Sequence, residues 1–276
     1  MPEVRIVRRV VSLQPSITVT LRDLDLLRCL AGCTKYCLEL CPELKNAGPT
    51  IVEDSWAASL EQIRRTRPEL VIASVPYQLD SLAEIMKSGV PCLCLSPRSL
   101  ADVYQDIMHI ARIMGAEHRG LALVSLMEQR IAAVNRKTSA LPRPLVYCEE
   151  WGKPLIVSQP WVAELVEAAG GRFFGEPGKQ VTEEDVAEAN PAVIIGSWCG
   201  AGDRVPLGKL AARTGWSQTS AVSNARVYCV KDDYLNTPAS TLLLGLDALC
   251  AAIHPEVFAA PHGLRRIETS APARSG

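Results

Sequence analysis

The chain has 276 residues, of which 48% are hydrophobic and 21% are charged, and its formal net charge is -1. These proportions are typical of a folded globular protein, and the lack of a strongly basic stretch argues against nucleic-acid binding. No apolar run in the sequence is long enough to cross a membrane as a helix.

Two features of the sequence bear on the compartment. The first residues, MPEVRIVRRVVSLQPS, lack the apolar segment and cleavage site of a secretory signal peptide. As written, the sequence predicts a cytoplasmic protein, and a periplasmic or cell-surface one if an export signal has been trimmed. Ten cysteines also favour a reducing compartment. Three of them lie in strand-like runs and are expected to be small buried hydrophobic residues, namely Cys92, Cys94 and Cys229.

In the first part of the chain, strand-like runs alternate with helical patterns. The predicted elements are, in order, a strand at 10–13, a helix at 18–30, a strand at 70–73, a helix at 79–88, a strand at 91–95 and a helix at 99–114. This alternation predicts an α/β fold with a mostly parallel sheet covered by helices. We assign residues 1–114 to an N-terminal α/β lobe.

A single long helix is predicted over residues 115–141, because a run of good helix formers continues until Pro142 and Pro144. A C-terminal α/β lobe is predicted over 142–255 and a loosely held tail over 256–276. The predicted elements of this lobe are strands at 145–148, 192–196 and 226–230 and helices at 161–168, 182–189, 206–213 and 238–252.

The two lobes share a helix–proline–strand repeat. The segment SLEQIRRTRPELVIAS (59–74) aligns without gaps on TEEDVAEANPAVIIGS (182–197). In both copies a Ser or Thr precedes a helix, a proline ends the helix, and a strand follows. The repeat favours two related α/β lobes, joined by the long helix, over one continuous sheet.

The sequence contains no recognisable catalytic motif. The segment GAGDRV (200–205) has Val205 where a dinucleotide-binding loop needs its third glycine, so NAD(P) binding is not expected. The four histidines have no metal-ligand spacing. We therefore predict that the protein is not an enzyme.

Cys33, Cys37 and Cys41 are spaced by four residues and would line one face of a continuous helix. Three thiolates can contribute to a metal or cluster site, but Gly32 and Pro42 bracket the segment and no fourth ligand is nearby. A cytoplasmic protein that binds metal or a cluster through these cysteines is one alternative, and packing of small residues is the other interpretation.

Only 5% of the residues are aromatic, yet six aromatic residues lie in or beside loops that follow predicted strands: Tyr36, Trp56, Tyr77, Trp151, Trp198 and Tyr234. In parallel α/β folds ligands bind at the carboxyl ends of the strands. Aromatic rings supply flat apolar surface there. The pattern predicts the wall of a pocket for a large flat ligand. For any single ring, a half-buried core position is an equally good explanation.

Glu61 and Glu184 occupy equivalent positions in the repeat. An acidic residue in the first helical turn offsets the helix dipole, which accounts for both without a partner. The functional interpretation is a pair of exposed carboxylates that meet basic residues of another protein.

An ordered set of motifs extends from about residue 6 to residue 255. The motifs are VVSLQPSIT (10–18), TKYC (34–37) with Pro42 and Glu43, SLEQIRRTRPELVIAS (59–74), PRSLADVYQDI (97–107), CEEWGKPL (148–155), WVAELVEAAGG (161–171), SWCGAG (197–202) and DDYLNTP (232–238). As a set they resemble the helical-backbone class of ABC-transporter substrate-binding proteins, which bind iron–siderophores, haem or vitamin B12. The resemblance is strongest to the cobalamin-binding branch.

This resemblance implies two α/β lobes joined by one long helix, as in class III periplasmic binding proteins, with an untransformed ligand held between the lobes. It implies a monomer that needs no resident cofactor, binds a corrinoid or another metal chelate, and delivers it to an ABC-transporter permease if exported. The implied ligand contacts are Tyr36, Trp56, Ser74, Tyr77, Trp151, Trp198, Asp233 and Tyr234. Glu61 and Glu184 would dock onto the permease, and Cys37 or Cys199 would ligate the metal.

Three positions depart from the cobalamin-binding pattern. Ser74 stands where a pocket tryptophan is found, Gly178 stands near another, and Val19 replaces a frequent acidic residue. The expected ligand is therefore cobalamin or a related corrinoid, with haem or a ferric chelate as the alternative.

Overall fold

The computed structural model describes residues 6–46, 48–76 and 78–268. The chain divides into two compact units. Unit 1 consists of the residues up to 128 together with 237–240, and unit 2 consists of residues 129–236 together with those from 241 onward. In the described part of the chain, no helix is both long and apolar enough to span a membrane.

Unit 1 is built on a five-stranded sheet. Its strands are β1 (Val10–Ser12), β2 (Leu30–Cys33), β3 (Thr50–Ile51), β4 (Leu70–Ser74) and β5 (Cys92–Leu95). Their order is β3-β2-β1-β4-β5, and all neighbouring pairs are parallel. The carboxyl ends of all five strands therefore lie at the same edge of the sheet.

Helices cover both faces of this sheet. They are α1 (Pro15–Asp23), α2 (Cys37–Leu40), α3 (Leu60–Arg65), α4 (Leu79–Lys87) and α5 (Leu100–Ile113). Val10 and Ile72 pack with α1 and α5 residues in one core cluster, whereas Val11 and Val71 pack with α3 and α4 residues in another. This alternation follows from the two-residue period of a strand that is buried on both faces.

The helix α6 (Glu117–Thr138) has 22 residues and occupies most of the predicted connecting segment. It begins among the residues of unit 1 and ends among those of unit 2.

Unit 2 has a seven-stranded mixed sheet. Its strands are β6 (Leu145–Gly152), β7 (Leu155–Val157), β8 (Arg172–Phe173), β9 (Gln180–Val181), β10 (Val193–Gly196), β11 (Val227–Val230) and β12 (Leu264–Arg266). The order is β12-β11-β10-β6-β7-β9, and β8 also pairs with β6. The β6, β10 and β11 strands are parallel, whereas β7, β9 and β12 run antiparallel to their neighbours.

The helices of unit 2 pack against this sheet. They are α7 (Pro160–Ala168), α8 (Glu183–Ala189), α9 (Leu207–Ala211), α10 (Ser220–Ser223), α11 (Asp232–Asn236) and α12 (Leu242–Ile253). Tyr147 and Trp216 are fully buried at the centre of the main core cluster, and their rings meet edge to face at 5.7 Å.

The helix–proline–strand repeat is confirmed, because α3 precedes β4 in unit 1 and α8 precedes β10 in unit 2. Each repeat belongs to its own sheet, as the prediction of two lobes requires.

Three sequence-based predictions are wrong. The helix predicted at 18–30 ends at Asp23, because Asp25 adopts a left-handed backbone conformation and the chain turns into β2. Residues 264–266 of the predicted loose tail form β12, which pairs with β11. Cys229 is buried as predicted, but Cys92 and Cys94 are exposed, because their face of the edge strand β5 is left uncovered.

Candidate functional site

Tyr36 and Trp56 lie at the carboxyl-terminal edge of the unit 1 sheet. Tyr36 follows β2 and begins α2, and its side chain is 41% exposed with the Lys35 ammonium 5.0 Å from the ring centroid. Trp56 follows β3, and it is 50% exposed. Both rings thus combine an apolar face open to solvent with a backbone fixed at the end of a strand.

The loop that carries Trp56 is held by a set of hydrogen bonds. The amides of Trp56 and Ala57 donate to Asp54 Oδ1 at 3.0 and 3.2 Å. The adjacent Ser55 is fully buried, and its amide donates to the Leu13 carbonyl at 3.1 Å. Ser81 Oγ donates to the Trp56 carbonyl at 2.5 Å. These hydrogen bonds hold the backbone of the loop that carries the Trp56 ring.

Ser74 ends β4 and is almost fully buried, with its amide donating to Ser55 Oγ at 3.3 Å. It lines a small cavity of unit 1 together with Ser16, Thr20 and Asp106. The enclosed part of the cavity has room for about one water molecule. Burial, and then the charge of Asp102, raises the pKa of Asp106 to about 7.

Cys33, Cys37 and Cys41 are fully buried in one hydrophobic cluster of unit 1. Cys37 Sγ accepts a hydrogen bond from Thr18 Oγ1 at 3.0 Å and lies 3.2 Å from Thr34 Oγ1. Hydrogen bonding from Cys33, opposed by burial and aided by both threonines, lowers the pKa of Cys37 to about 6.

The three cysteines are packed among apolar side chains and belong to no cluster of metal ligands that the structure describes. Across residues 6–46, 48–76 and 78–268, no group of three or more His, Cys, Asp or Glu side chains is arranged to hold a metal ion. The alternative of a metal- or cluster-binding protein that uses Cys33, Cys37 and Cys41 therefore gains no support and stays a prediction, and the packing interpretation agrees with their burial.

Trp198 follows β10 in unit 2 and is fixed by a buried carboxylate. Its Nε1 donates to Glu149 Oε1 at 2.7 Å, and Tyr147 Oη donates to Glu149 Oε2 at 2.8 Å. Arg213 Nη2 donates to Glu149 Oε1 at 3.0 Å, and Nη1 pairs with the other oxygen. The ring packs on Gly152, where an added Cβ would lie 2.7 Å from Trp198 Cζ2.

A second carboxylate, that of Glu150, lies beside the loop that follows β10 and contains Cys199 and Gly200. Glu150 is held by Gln159 Nε2 at 2.7 Å and by the Cys199 thiol at 3.5 Å, and burial raises its pKa. Gly200 donates its amide to Asp232 Oδ2 at 2.6 Å, which joins the ends of β10 and β11.

Trp151 and Tyr234 are the other two candidate aromatic contacts in unit 2. Trp151 is 46% exposed, and its Nε1 donates to the Lys153 carbonyl at 2.9 Å. Tyr234 follows β11 and packs on Gly263, where an added Cβ would overlap the tyrosine ring. Asp233 pairs with Lys231 Nζ at 2.6 Å, so this carboxylate is already partly neutralised.

Glu61 and Glu184 lie in the first turns of α3 and α8, as the repeat predicts. Glu61 is 83% exposed and pairs with Arg65 at 2.9 Å. Glu184 is also exposed. The helix cap of α8 is made by Thr182 and Asp185, so Glu184 is not needed for the capping box.

Within each unit, the structure thus brings predicted residues to the carboxyl ends of the strands. Tyr36, Trp56 and Ser74 share this edge in unit 1, and Trp198, Cys199 and Tyr234 share it in unit 2. Tyr77 lies outside the described residues. The assignment of Cys37 or Cys199 as a metal ligand stays a prediction, although Cys37 is fully buried and Cys199 is exposed.

Sequence patterns did not indicate a role for four buried or half-buried polar residues near these edges, namely Asp106, Glu149, Glu150 and Arg213. Glu149 and Glu150 belong to the CEEWGKPL motif (148–155). Only the fold shows that Arg213, 64 positions further along the chain, neutralises Glu149.

The model of the periplasmic binding protein family matches residues 10–234. The chain belongs to this family. A curated relative of the binding protein is the ABC transporter substrate-binding lipoprotein YvrC of Bacillus subtilis. The two are 24% identical over 217 residues, which cover 72% of this chain and 66% of the relative, just under two thirds of its length.

Two solved structures have the same fold. A periplasmic haem-binding protein of Pseudomonas aeruginosa is 20% identical, with a TM-score of 0.80 over 97% of this chain and 100% of that chain. The periplasmic vitamin B12-binding protein of Vibrio cholerae is 20% identical, with a TM-score of 0.73 over 90% of this chain and 97% of that chain. At these identities the likeness shows the fold alone.

The comparisons confirm the predicted fold class, an α/β protein of the class III periplasmic-binding-protein type. The expectation of a binding protein and not an enzyme is confirmed by the family. The expected cytoplasmic location is not supported, because the family is that of periplasmic binding proteins.

Proposed function

We propose that this binding protein is the substrate-binding component of an ABC transporter and that its ligand is a corrinoid, cobalamin or a close relative. The observation that carries the proposal is the exposure of aromatic rings at the carboxyl-terminal strand edges of both units, in a chain with only 5% aromatic residues. YvrC supports the role in an ABC transporter, and the vitamin B12- and haem-binding proteins of the same fold support a metal chelate as the cargo.

The driving force in this proposal is burial of the flat apolar surface of the chelate. Removing roughly 300–400 Å² of such surface from water is worth roughly 8–10 kcal/mol, from which the cost of immobilising the ligand is subtracted. Tyr36 and Trp56 of unit 1 and Trp151, Trp198 and Tyr234 of unit 2 are the proposed aromatic contacts. Ser74, Tyr77 and Asp233 are the other proposed contacts.

The proposed partner is the membrane permease of the transporter, and the proposed location is the periplasm or the cell surface. The lipoprotein relative supports this location. We propose a monomer that holds no resident cofactor and binds no nucleic acid.

The ligand class is tested by titrating the protein with cobalamin, cobinamide, haemin and a ferric siderophore, with intrinsic Trp fluorescence as the signal. Strong quenching by the corrinoids supports the proposal. Quenching by haemin or the siderophore alone would assign a different chelate to the same fold.

Replacing Trp56 with alanine is expected to weaken corrinoid binding about 10- to 100-fold. The reason is that burial of the half-exposed ring against the ligand contributes roughly 1.5–3 kcal/mol to the binding free energy. Calorimetry with cobinamide measures this without relying on Trp fluorescence. Met86→Ala is the matched control, since Met86 is 71% exposed at the far end of α4. Equal affinities of the two variants would show that Trp56 does not contact the ligand.

We further propose that Glu61 and Glu184 dock onto basic residues of the permease. Glu184→Lys is expected to abolish stimulation of the ATPase activity of the reconstituted permease while cobinamide affinity stays unchanged, because it reverses the charge in an exposed first turn. Glu188→Lys, on an exposed residue of the same helix, is the control. Full stimulation by the Glu184 variant would rule out this docking role.

A further inference from the structure

Cys92 and Cys94 form a pair of thiols on the open face of an edge strand. They belong to β5, which is the last strand of the unit 1 sheet and pairs only with β4 among the strands described. Both cysteines are exposed. Leu93 between them faces the other way and packs against the cluster that contains Ile110 and Met114. The two-residue period of a strand thus puts both sulfurs on the same side.

The two sulfurs are within reach of each other. Residues two apart along a strand are separated by roughly 6–7 Å, so two cysteine side chains on the same face can both bind one ion. The pair is therefore a bidentate donor for a thiophilic metal.

The number of protein ligands at the site indicates which metal ion the pair binds. No third His, Cys, Asp or Glu side chain joins the pair in a metal-holding group within the described residues. Structural zinc takes four protein ligands in a tetrahedral arrangement. Cu(I) is the soft cation that thiolates select and that accepts two-coordinate, nearly linear binding.

We propose that Cys92 and Cys94 form a surface site that binds one Cu(I) ion through both sulfurs. Binding breaks two S–H bonds and forms two Cu–S bonds, and both protons pass to the solvent, so no oxidant or reductant takes part. The site lies on the edge strand, where Cys92 pairs with Val71 near the start of β4 and not with Ser74 at its end. It is independent of the proposed corrinoid function.

The test is a competition titration of the full-length, fully reduced protein with Cu(I) buffered by bicinchoninate, without oxygen. The wild type is expected to remove one equivalent of Cu(I) from the indicator. Cys92→Ser and Cys94→Ser are each expected to lower the affinity about 100-fold, because each loses the intramolecular second donor. Cys199→Ser, which removes an exposed thiol outside the pair, is the control and should bind as the wild type does.

Because both cysteines are exposed, their replacement with serine should leave the unfolding midpoint and cobinamide binding unchanged. Wild-type Cu(I) affinity in either single variant would overturn the two-sulfur site. A loss of Cu(I) binding in Cys199→Ser, or no binding by the wild type, would overturn it as well.

Discussion

Replacing Arg213 with methionine is expected to lower the free energy of unfolding by about 3–5 kcal/mol. Arg213 is 11% exposed and its partner Glu149 is fully buried. Without the guanidinium, the Glu149 carboxylate would stay in the core with only the Tyr147 hydroxyl and the Trp198 indole as donors. A buried charge without a partner destabilises the fold strongly. This loss is larger than the stability that the intact ion pair adds relative to well-packed apolar side chains. Urea unfolding, followed by circular dichroism, measures the loss.

Two controls separate this effect from the loss of an ordinary ion pair. Arg65→Met breaks the exposed pair with Glu61 and should cost less than about 1 kcal/mol. The double variant Glu149→Gln, Arg213→Met should be more stable than Arg213→Met alone, because the neutral glutamine leaves no unpaired charge in the core. If Arg213→Met were no worse than Arg65→Met, Glu149 would not depend on Arg213 for its burial.

The second large effect is a pH-dependent stabilisation by Asp106→Asn. The pKa of Asp106 is raised from 3.8 in the unfolded chain to about 7 in the fold. The neutral carboxyl is therefore favoured by folding, and this favourable contribution is lost as the pH rises from about 4 through 7. Asparagine stays neutral throughout. The variant should match the wild type near pH 4 and exceed it at pH 8 by about 1–2 kcal/mol, a value reduced for partial solvent screening.

Urea unfolding of both proteins at pH 4.5, 6 and 8 gives this difference directly. Titrations of other groups are common to both proteins and cancel, apart from that of Asp102, which contributes to the Asp106 shift. Asp203→Asn, at an exposed position, is the control and should give no gain that grows with pH. A constant difference for Asp106→Asn across the range would show that folding does not raise the pKa of this carboxyl.

The sequence predicted the elements whose signals are local and repeated. The two copies of the helix–proline–strand unit end in β4 and β10, and the run without proline became α6. It could not predict elements stabilised by distant partners. The strand β12 exists because Arg265 and its neighbours pair with β11, and Arg265 also donates to the carbonyl of Asp203 at 3.0 Å.

Parts of the candidate site could likewise be predicted from local sequence patterns, and other parts could not. Aromatic residues after predicted strands were visible in the sequence because their positions depend on neighbouring residues, as for Trp198 after β10. The polar residues that hold them were not visible, because Glu149 and Arg213 meet only in the folded sheet. Cys92 was mistaken for a core residue because alternation within β5 does not show which face the helices leave open.

The most direct test of the proposed cargo is a calorimetric titration of the purified protein with cobinamide, with haemin titrated in parallel. We predict one corrinoid bound per chain, with a dissociation constant of about 1 μM or lower. No measurable binding of cobinamide or cobalamin, with or without binding of haemin, would contradict the assignment of a corrinoid.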